Sequence, residues 1–223
     1  MADHPLFAAV YDRMLAPAEA AGLAAHRRHL LASARGRVLE IGAGTGLNLA
    51  HYPAGAVDSV VVLEPDAAMR RRLVPRAEAA GVPVEVRAGG VGDLKPEDGP
   101  FDTVVCTLVL CTVPDLAAAV SKIEAVLDPD GEFLFLEHVA VPGFRGHLQR
   151  LATPLWKHFA GGCRLDRDPV LALTDAGLAV VECDRFDLPA TSTLARAAVR
   201  GRARRRTLDA GQAHVNPTEA AHP

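Results

Sequence analysis

Two carboxylates and three glycines, set close together, are the residues best suited to do chemistry. The run Glu40-Ile-Gly42-Ala-Gly44-Thr-Gly46 directly follows a short apolar stretch, Arg37-Val-Leu-Glu-Ile41. Glycine in a strand-to-helix turn lets the backbone approach a ligand closely, and a helix N-terminus points N–H groups at it. The spacing is not Gly-x-Gly-x-x-Gly, because the third glycine of that pattern would have to stand at Leu47. A dinucleotide fold brings a pyrophosphate to this loop, and Glu40 would repel one. A carboxylate here attracts positive charge instead, and S-adenosylmethionine (SAM) offers both an ammonium and a sulfonium. Glu64, 18 residues past Gly46, closes a second apolar stretch. An acidic side chain there accepts hydrogen bonds from both ribose hydroxyls, of NAD or SAM alike. For a lone glycine loop the plain alternative is a structural turn, but Glu40, the alternating glycines and Glu64 together argue against it.

These residues need strands and helices to hold them. Residues 6–32 carry Leu23, Leu30 and Leu31 at helical spacing, with an interruption expected near Pro17. Strands are expected at 37–41, 59–64, 83–88, 101–108 and 132–139. Helices are expected from about Thr45 to before Pro53, from the Asp66 cap to about 80, and over 114–127. Strand and helix alternate, which implies right-handed crossovers and a doubly wound sheet. Helical stretches at 146–160 and 169–176 precede strands at 178–186 and 197–204. The last pair, as an antiparallel hairpin, completes an α/β fold with a Rossmann-like, seven-stranded, mostly parallel sheet containing one antiparallel strand. The organisation is then an N-terminal helical cap (1–34), a SAM-binding domain (35–206) and a tail (207–223) expected to be disordered for want of periodicity.

The whole chain is consistent with this. Its 223 residues are 49% apolar and 23% charged, a globular balance long enough for one α/β core. A net charge of -3 offers no global attraction to nucleic acid or anionic membrane. Cys106, Cys111, Cys163 and Cys183 form no Cys-x-x-Cys pair and read as reduced cysteines of a cytoplasmic protein. Acidic Asp3, Asp12 and Glu19 argue against a signal peptide, and the longest apolar stretch, 104–113, is roughly half a membrane span.

The pattern resembles the class I SAM-dependent methyltransferases over nearly the whole chain. It has their acidic-x-Gly-x-Gly-x-Gly loop, an acidic residue after the second strand, and a turn before the fifth, here Leu127-Asp-Pro-Asp-Gly131 with Asp130 in place of a usual glycine. The cofactor set is then Glu40, Gly42, Ala43, Gly44, Gly46 and Asn48; Glu64 and Pro65; Val91, Gly92 and Asp93; and Thr107 and Leu108. The resemblance implies adenine contacts from residues 89–94, although Gly90 and Gly92 stand where relatives often carry acidic residues. Asp93 or backbone groups would take that part. A narrower resemblance links Cys106-Thr-Leu-Val-Leu-Cys-Thr-Val113, Glu137-His-Val139 and Trp156-Lys-His-Phe-Ala-Gly-Gly-Cys163 to the methyltransferase-like thiol S-methyltransferases. It implies a small thiol acceptor. The ubiquinone/menaquinone-type enzymes share the core and Tyr11-Asp12, so an O-, N- or C-methyl acceptor such as a quinone, lipid or secondary metabolite is the alternative, with a non-catalytic SAM-binding module as a third. The mammalian thiol enzymes begin with an apolar anchor; no stable anchor is expected here.

Methyl transfer is an in-line attack on the SAM methyl carbon, and a thiolate needs mainly alignment and exclusion of water. A less acidic acceptor gains from a base. His138, beyond the fifth strand, is the first candidate for a base or orienting group; its plain alternative is to cap a buried strand. Tyr11 is expected to fold over the methionine end or the acceptor, or else to pack in the core. His158 and Cys111 are weaker candidates. Leu108, Leu110, Val113, Trp156 and Phe159 either line an apolar pocket or fill the core, and Cys163 and Arg164 belong to an acceptor lid. No metal is expected, because no His/Cys/Asp cluster has metal-ligand spacing and only Asp102, read as a fold-supporting residue, lies near the fourth strand. Arg196, Arg200, Arg202, Arg204, Arg205 and Arg206 crowd the end of the chain. They are read as an exposed edge strand whose alternating arginines face solvent, not as a nucleic-acid site, since no aromatics interleave them. The expected partner is a small-molecule acceptor; the sequence does not set the oligomeric state.

Overall fold

Five apolar stretches of the first two-thirds of the chain become parallel strands, four of them largely buried and the third in sequence a part-exposed edge. In the computed structural model, which describes residues 3–206, these are β1 (Gly36–Ile41), β2 (Val57–Glu64), β3 (Val84–Ala88), β4 (Phe101–Thr107) and β5 (Leu127–His138). Two more, β6 (Leu178–Asp187) and β7 (Ala197–Arg205), complete a seven-stranded sheet in the order β3-β2-β1-β4-β5-β7-β6. Only β7 runs antiparallel to its neighbours. The expected tail at 207–223 lies outside the described residues.

β1 pairs with β2 on one side and β4 on the other. The strand order therefore reverses at β1/β4, where ligands of such sheets bind beyond the carboxyl ends. One face of the sheet, with Leu39, Val104, Cys106, Phe133 and Phe135, is covered by α4 (Leu116–Val126) and α6 (Pro169–Asp175). The other, with Val38, Val60, Val105, Leu134 and Leu136, packs against Leu31 of α2 (Ala24–Leu31) and Leu73 of α3 (Ala67–Glu78). Phe101, Phe133 and Phe135 are fully buried, each contributing roughly 1.5–3 kcal/mol by burial.

Three expectations change. The N-terminal helix passes through Pro17 within α1 (Pro5–Ala18) and breaks instead at Gly22, whose φ of 139° no L side chain adopts easily. The helix expected from Thr45 is a set of turns with one 3₁₀ turn, Leu49–His51. Both α2 and α3 touch this turn. The arginine-bearing β7 is not an edge: β6 lies outside it. Arg200 donates to Asp184 at 2.6 Å, Arg202 to Glu182 at 2.8 Å, and Arg204 to buried Glu132. The alternating arginines thus form a neutralised ladder across β5–β7–β6.

Candidate active site

The glycine loop sits between β1 and the 3₁₀ turn, and its glycines serve different ends. All three have left-handed φ, between 58° and 86°. A Cβ on Gly42 would stand 2.6 Å from Val109, and one on Gly46 would stand 2.7 Å from Leu73, so these two allow close packing. A Cβ on Gly44 would meet only Tyr11, at 3.8 Å. Gly44 therefore keeps the floor of a cleft open beneath that ring.

A small, partly open cleft here is lined by Tyr11, Arg27, Glu40, Ala43, Asn48 and Thr107, among others. Glu40 is buried; Asn48 Nδ2 donates to one oxygen at 3.0 Å and the Tyr52 hydroxyl to the other at 2.7 Å. Burial outweighs these bonds and pushes the Glu40 carboxyl up to about 7. Asn48 also donates to Thr107 Oγ1 at 3.0 Å and accepts from Arg27 Nη1 at 2.9 Å. Asn48 thus ties the ends of β1 and β4 to α2. Glu64 Oε2 accepts from Gly44 N–H at 2.7 Å and Oε1 from Asp66 N–H at 2.8 Å. Oε2 of Glu64 thus bonds the glycine loop while Oε1 holds the turn that follows β2.

After β2 and β3, where adenine contacts are expected, Pro65 is exposed and lies against Gly90, and Val91 is buried with Gly92 and Asp93 exposed beside it. Asp93 Oδ2 accepts from Gly90 N–H at 2.9 Å, so its carboxylate holds its own turn. At the end of β4, Leu108 is left-handed, with φ 59°. That conformation in a bulky residue stores about 1–3 kcal/mol and starts the turn that carries residues 109–113.

Helix α1 forms the roof. Thr45 Oγ1 donates to Asp12 at 2.6 Å, and Arg76 binds both Asp12 and the Thr45 carbonyl, at 2.8 and 2.7 Å. Burial would raise the Asp12 carboxyl, but Arg76 and Thr45 outweigh it and hold it below the ordinary value. This latch places half-buried Tyr11 above Gly44, and burial pushes its phenol up to about 12, so it stays neutral. The Phe7 ring, 5.5 Å from that of Tyr11, reaches the other way, to Gly161.

Beyond β4 and β5 the cleft wall changes character. Glu137, fully buried, accepts from the N–H groups of Val109, Leu110 and Cys111 at 2.9, 2.9 and 3.3 Å and so fixes that turn. Burial raises its carboxyl to about 7. Arg164 N–H donates to the Cys111 carbonyl at 2.9 Å, and Arg167 donates to the carbonyls of Leu110 and Pro114. These bonds bring the 160–165 segment onto the turn. His138 Nδ1 then lies 3.8 Å from Cys111 Sγ and 3.6 Å from Cys163 Sγ. The hydrogen bond from Cys111, and after it His138, hold the Cys163 thiol below its ordinary value, while Cys111 is pushed up. Leu165, Ala195 and Trp156 of α5 (Gly143–Phe159) pack around the group.

Of the proposed apolar lining, Leu110 and Val113 belong to the core and Trp156 faces the sulfur cluster; the side chain of Phe159 lies outside the described set. His158 is exposed and bonds Pro154 of its own helix. Asp102 holds Arg37 N–H at the amino edge, far from the cleft. Arg27, Glu137 and Arg167 were not singled out from sequence. Arg27 is paired with Arg28 on an alanine-rich helix and carries no local signal; Glu137 could have been found as a lone acid ending an apolar strand.

Known proteins agree with this geometry. Residues 16–182 match the family model described as a methyltransferase domain. Human thiol S-methyltransferase TMT1B is 35% identical over 163 residues, 71% of this chain and 66% of the relative. Human TMT1A is 32% identical over 169 residues, 74% of this chain and 68% of the relative. The match thus spans 66% and 68% of these two relatives' lengths. The solved DhpI–SAH complex shares the fold, with a TM-score of 0.64 at 22% identity over 90% of this chain and 92% of that one. The chain therefore belongs to the methyltransferase-domain family and is a SAM-dependent methyltransferase with a Rossmann-like sheet.

Proposed function

We propose that the acceptor is a small, fairly apolar thiol and the reaction S-methylation. The observation that carries this is the lining of the acceptor side: two sulfurs, one imidazole and the apolar Trp156, Leu165 and Ala195, adjoining the roof that covers the glycine loop. The likeness to the two human thiol S-methyltransferases supports it. The cofactor, when bound, supplies an electrophilic methyl group.

The chain's own residues do the rest. Glu64 and the loop amides hold the ribose, with Pro65, Val91, Gly92 and Asp93 around the adenine. Glu40 and Asn48 set charge and shape at the methionine end, beside Ala43, Thr107 and Leu108. Tyr11 roofs the reacting carbon and excludes water. His138 positions the acceptor sulfur. A thiolate is nucleophilic enough that alignment in a dry cleft supplies most of the acceleration.

The small-molecule reading also fits the arginine ladder, whose charges are spent on Asp184, Glu182 and Glu132 and so leave little for nucleic acid. Among the described residues no helix is long and apolar enough to cross a membrane. All four cysteines are free, which suits a reducing compartment, the cytoplasm.

The test is turnover of labelled SAM with a panel of small thiols, phenols, amines and quinols. Methyl thioethers alone are expected. Methylation of phenols or quinols in preference to thiols would replace this reading with O- or C-methylation.

A further inference from the structure

We propose that Cys111, His138 and Cys163 form a zinc site with one open coordination position, and that the acceptor thiol binds there as thiolate. This deepens the thiol reading and rests on it; the ion site itself does not.

Three observations carry the site. The first is distance. With Zn–S of about 2.3 Å and Zn–N of about 2.0–2.1 Å, a tetrahedral ion sets S···N edges near ~3.6 Å. The two S···Nδ1 separations here are 3.8 and 3.6 Å, and all three donor atoms lie within 4.8 Å of one another. The second is rigidity. Each donor is held by a different part of the backbone: Cys111 by Glu137, His138 by the end of β5, and Cys163 by the Arg164–Cys111 bond. A preorganised set of this kind binds an ion without paying for chain ordering. The third is Trp156. Its indole N–H is buried, has no oxygen or nitrogen acceptor, and lies against the Cys163 sulfur. A donor so placed suits a thiolate held by an ion, as outer hydrogen bonds do at metal sites.

The donor set points to zinc and to an open position. Two thiolates and an imidazole suit Zn²⁺ far better than magnesium or calcium, which take oxygen ligands. Among the described residues no fourth His, Cys, Asp or Glu joins the group. Three protein ligands with a free fourth position is the arrangement of catalytic zinc, whereas structural zinc sites are closed by four. Sequence spacing could not show the cluster, because the ligands stand 27 and 25 residues apart.

The site adjoins the cofactor cleft. Phe7 touches the 160–162 segment that precedes Cys163, and its neighbour Tyr11 lies over Gly44. One roof, α1, thus reaches both the glycine loop and the segment that carries Cys163. A thiol R–SH bound at the open position through sulfur loses its proton to water. A sulfur lone pair forms the new C–S bond as the bond from the methyl carbon to the sulfonium sulfur breaks. That electron pair stays on the departing sulfur, giving neutral S-adenosylhomocysteine. The methyl thioether is uncharged, a weak ligand for zinc, and leaves.

The experiment uses the full chain, purified reduced and without chelator, then equilibrated with Zn²⁺ or Co²⁺. One ion per chain is expected by elemental analysis. The cobalt form should show the visible bands of a tetrahedral ion and a thiolate-to-cobalt charge-transfer band. Cys111→Ser and Cys163→Ser should each weaken ion binding at least ~10-fold, in line with the loss expected at a metal site, while SAM affinity, the check on folding, stays within about twofold. Cys183→Ser, an exposed cysteine on β6, should change nothing. An acceptor thiol should add charge-transfer intensity. No stoichiometric ion in reduced protein, or equal binding by the Cys111→Ser/Cys163→Ser double variant, overturns the site. A bound ion whose spectrum ignores the thiol, or thiol turnover unchanged by complete ion removal, overturns the open-position role while S-methylation stands. A bound ion in a protein that methylates no thiol leaves the site and removes the S-methylation reading.

Discussion

The two halves of the carboxyl edge are built on opposite plans. On the β1–β2 side, polar atoms are saturated by short-range bonds: Glu64 binds Gly44 and Asp66, and Glu40 binds Asn48 and Tyr52. On the β4–β5 side, the chemistry lies in two cysteines and a histidine drawn from three distant segments and held mostly by backbone carbonyls and one buried carboxylate. In the proposed function the first half takes the unchanging cofactor, and its contacts sit on one loop and two strand ends; the second takes the variable reactant, and its shape depends on how α5 and the following loop come to rest. Affinity for SAM and turnover of the acceptor should therefore respond to different substitutions.

The strongest separation should come from Gly44→Asp. The new side chain enters the cleft under Tyr11 and faces Glu64, while its Cβ meets nothing closer than 3.8 Å. SAM affinity should fall at least 100-fold, equivalent to ~2.8 kcal/mol, with only ~1 kcal/mol of stability lost to the left-handed backbone. Calorimetric titration and a melting curve check both. Gly44→Asp melting like wild type yet binding SAM would break the assignment of this loop.

Glu137→Gln probes the other half. All three N–H groups lose charge assistance, and with the amide oxygen kept on Val109 and Leu110 the Cys111 N–H faces an NH2 and loses its acceptor, at about 1–3 kcal/mol. Turnover should drop about tenfold, roughly 1.4 kcal/mol in the barrier, with the dissociation constant of SAM unchanged. A parallel loss of SAM affinity would show that the halves are one unit.

Glu40 gives the cofactor half a pH signature. Around its carboxyl stand Arg27 from α2, Asn48 and Tyr52 from the crossover, Glu64 from β2 and Cys106 from β4. It titrates near 7 in the folded chain, against 4.5 for a free glutamate. Between these values the folded chain keeps a proton that the unfolded chain has lost, so this group's contribution to stability falls as pH rises from 4.5 to about 7 and is flat above. Cationic SAM favours the ionised form, so binding below pH 7 should release a proton. Titration heats in two buffers of different ionisation enthalpy measure that release, and Glu40→Gln should abolish it.

The smallest effect is expected at the roof. Asp12→Asn weakens a half-exposed pair with Arg76 worth about 0.2–1 kcal/mol. Amide exchange across residues 5–18 should quicken a few-fold, and SAM should dissociate faster, with little change in melting temperature.

Legibility in the sequence follows the same division. The cofactor half could be read because Glu40, the glycines and Glu64 are each next to a strand end, and strand ends are marked by apolar runs. Alternation of strand and helix marked the doubly wound, mostly parallel sheet, while its strand order came only with the structure. The Thr45 helix misled because three glycines in left-handed backbone and the turns after them take up the stretch before Pro53, which leaves one 3₁₀ turn. The arginines misled because an alternating charged strand looks the same at an edge as beside one carrying matching acids, Glu182 and Asp184 on β6. The Cys111–His138–Cys163 group had no local signature at all, since its distances exist only after β5, α5 and the 160–165 segment have met.

The position of β7 also bears on how the chain is made. Because β7 inserts between β5 and β6, β6 has no partner when it leaves the ribosome, and the apolar edge of β5, Phe133 to Leu136, stays open until the residues from Ala197 on arrive. Open apolar edges recruit other chains. Nascent or prematurely ended chains that stop after β6 should thus be the aggregating species of this protein, and the sheet closes only once β7 has been made.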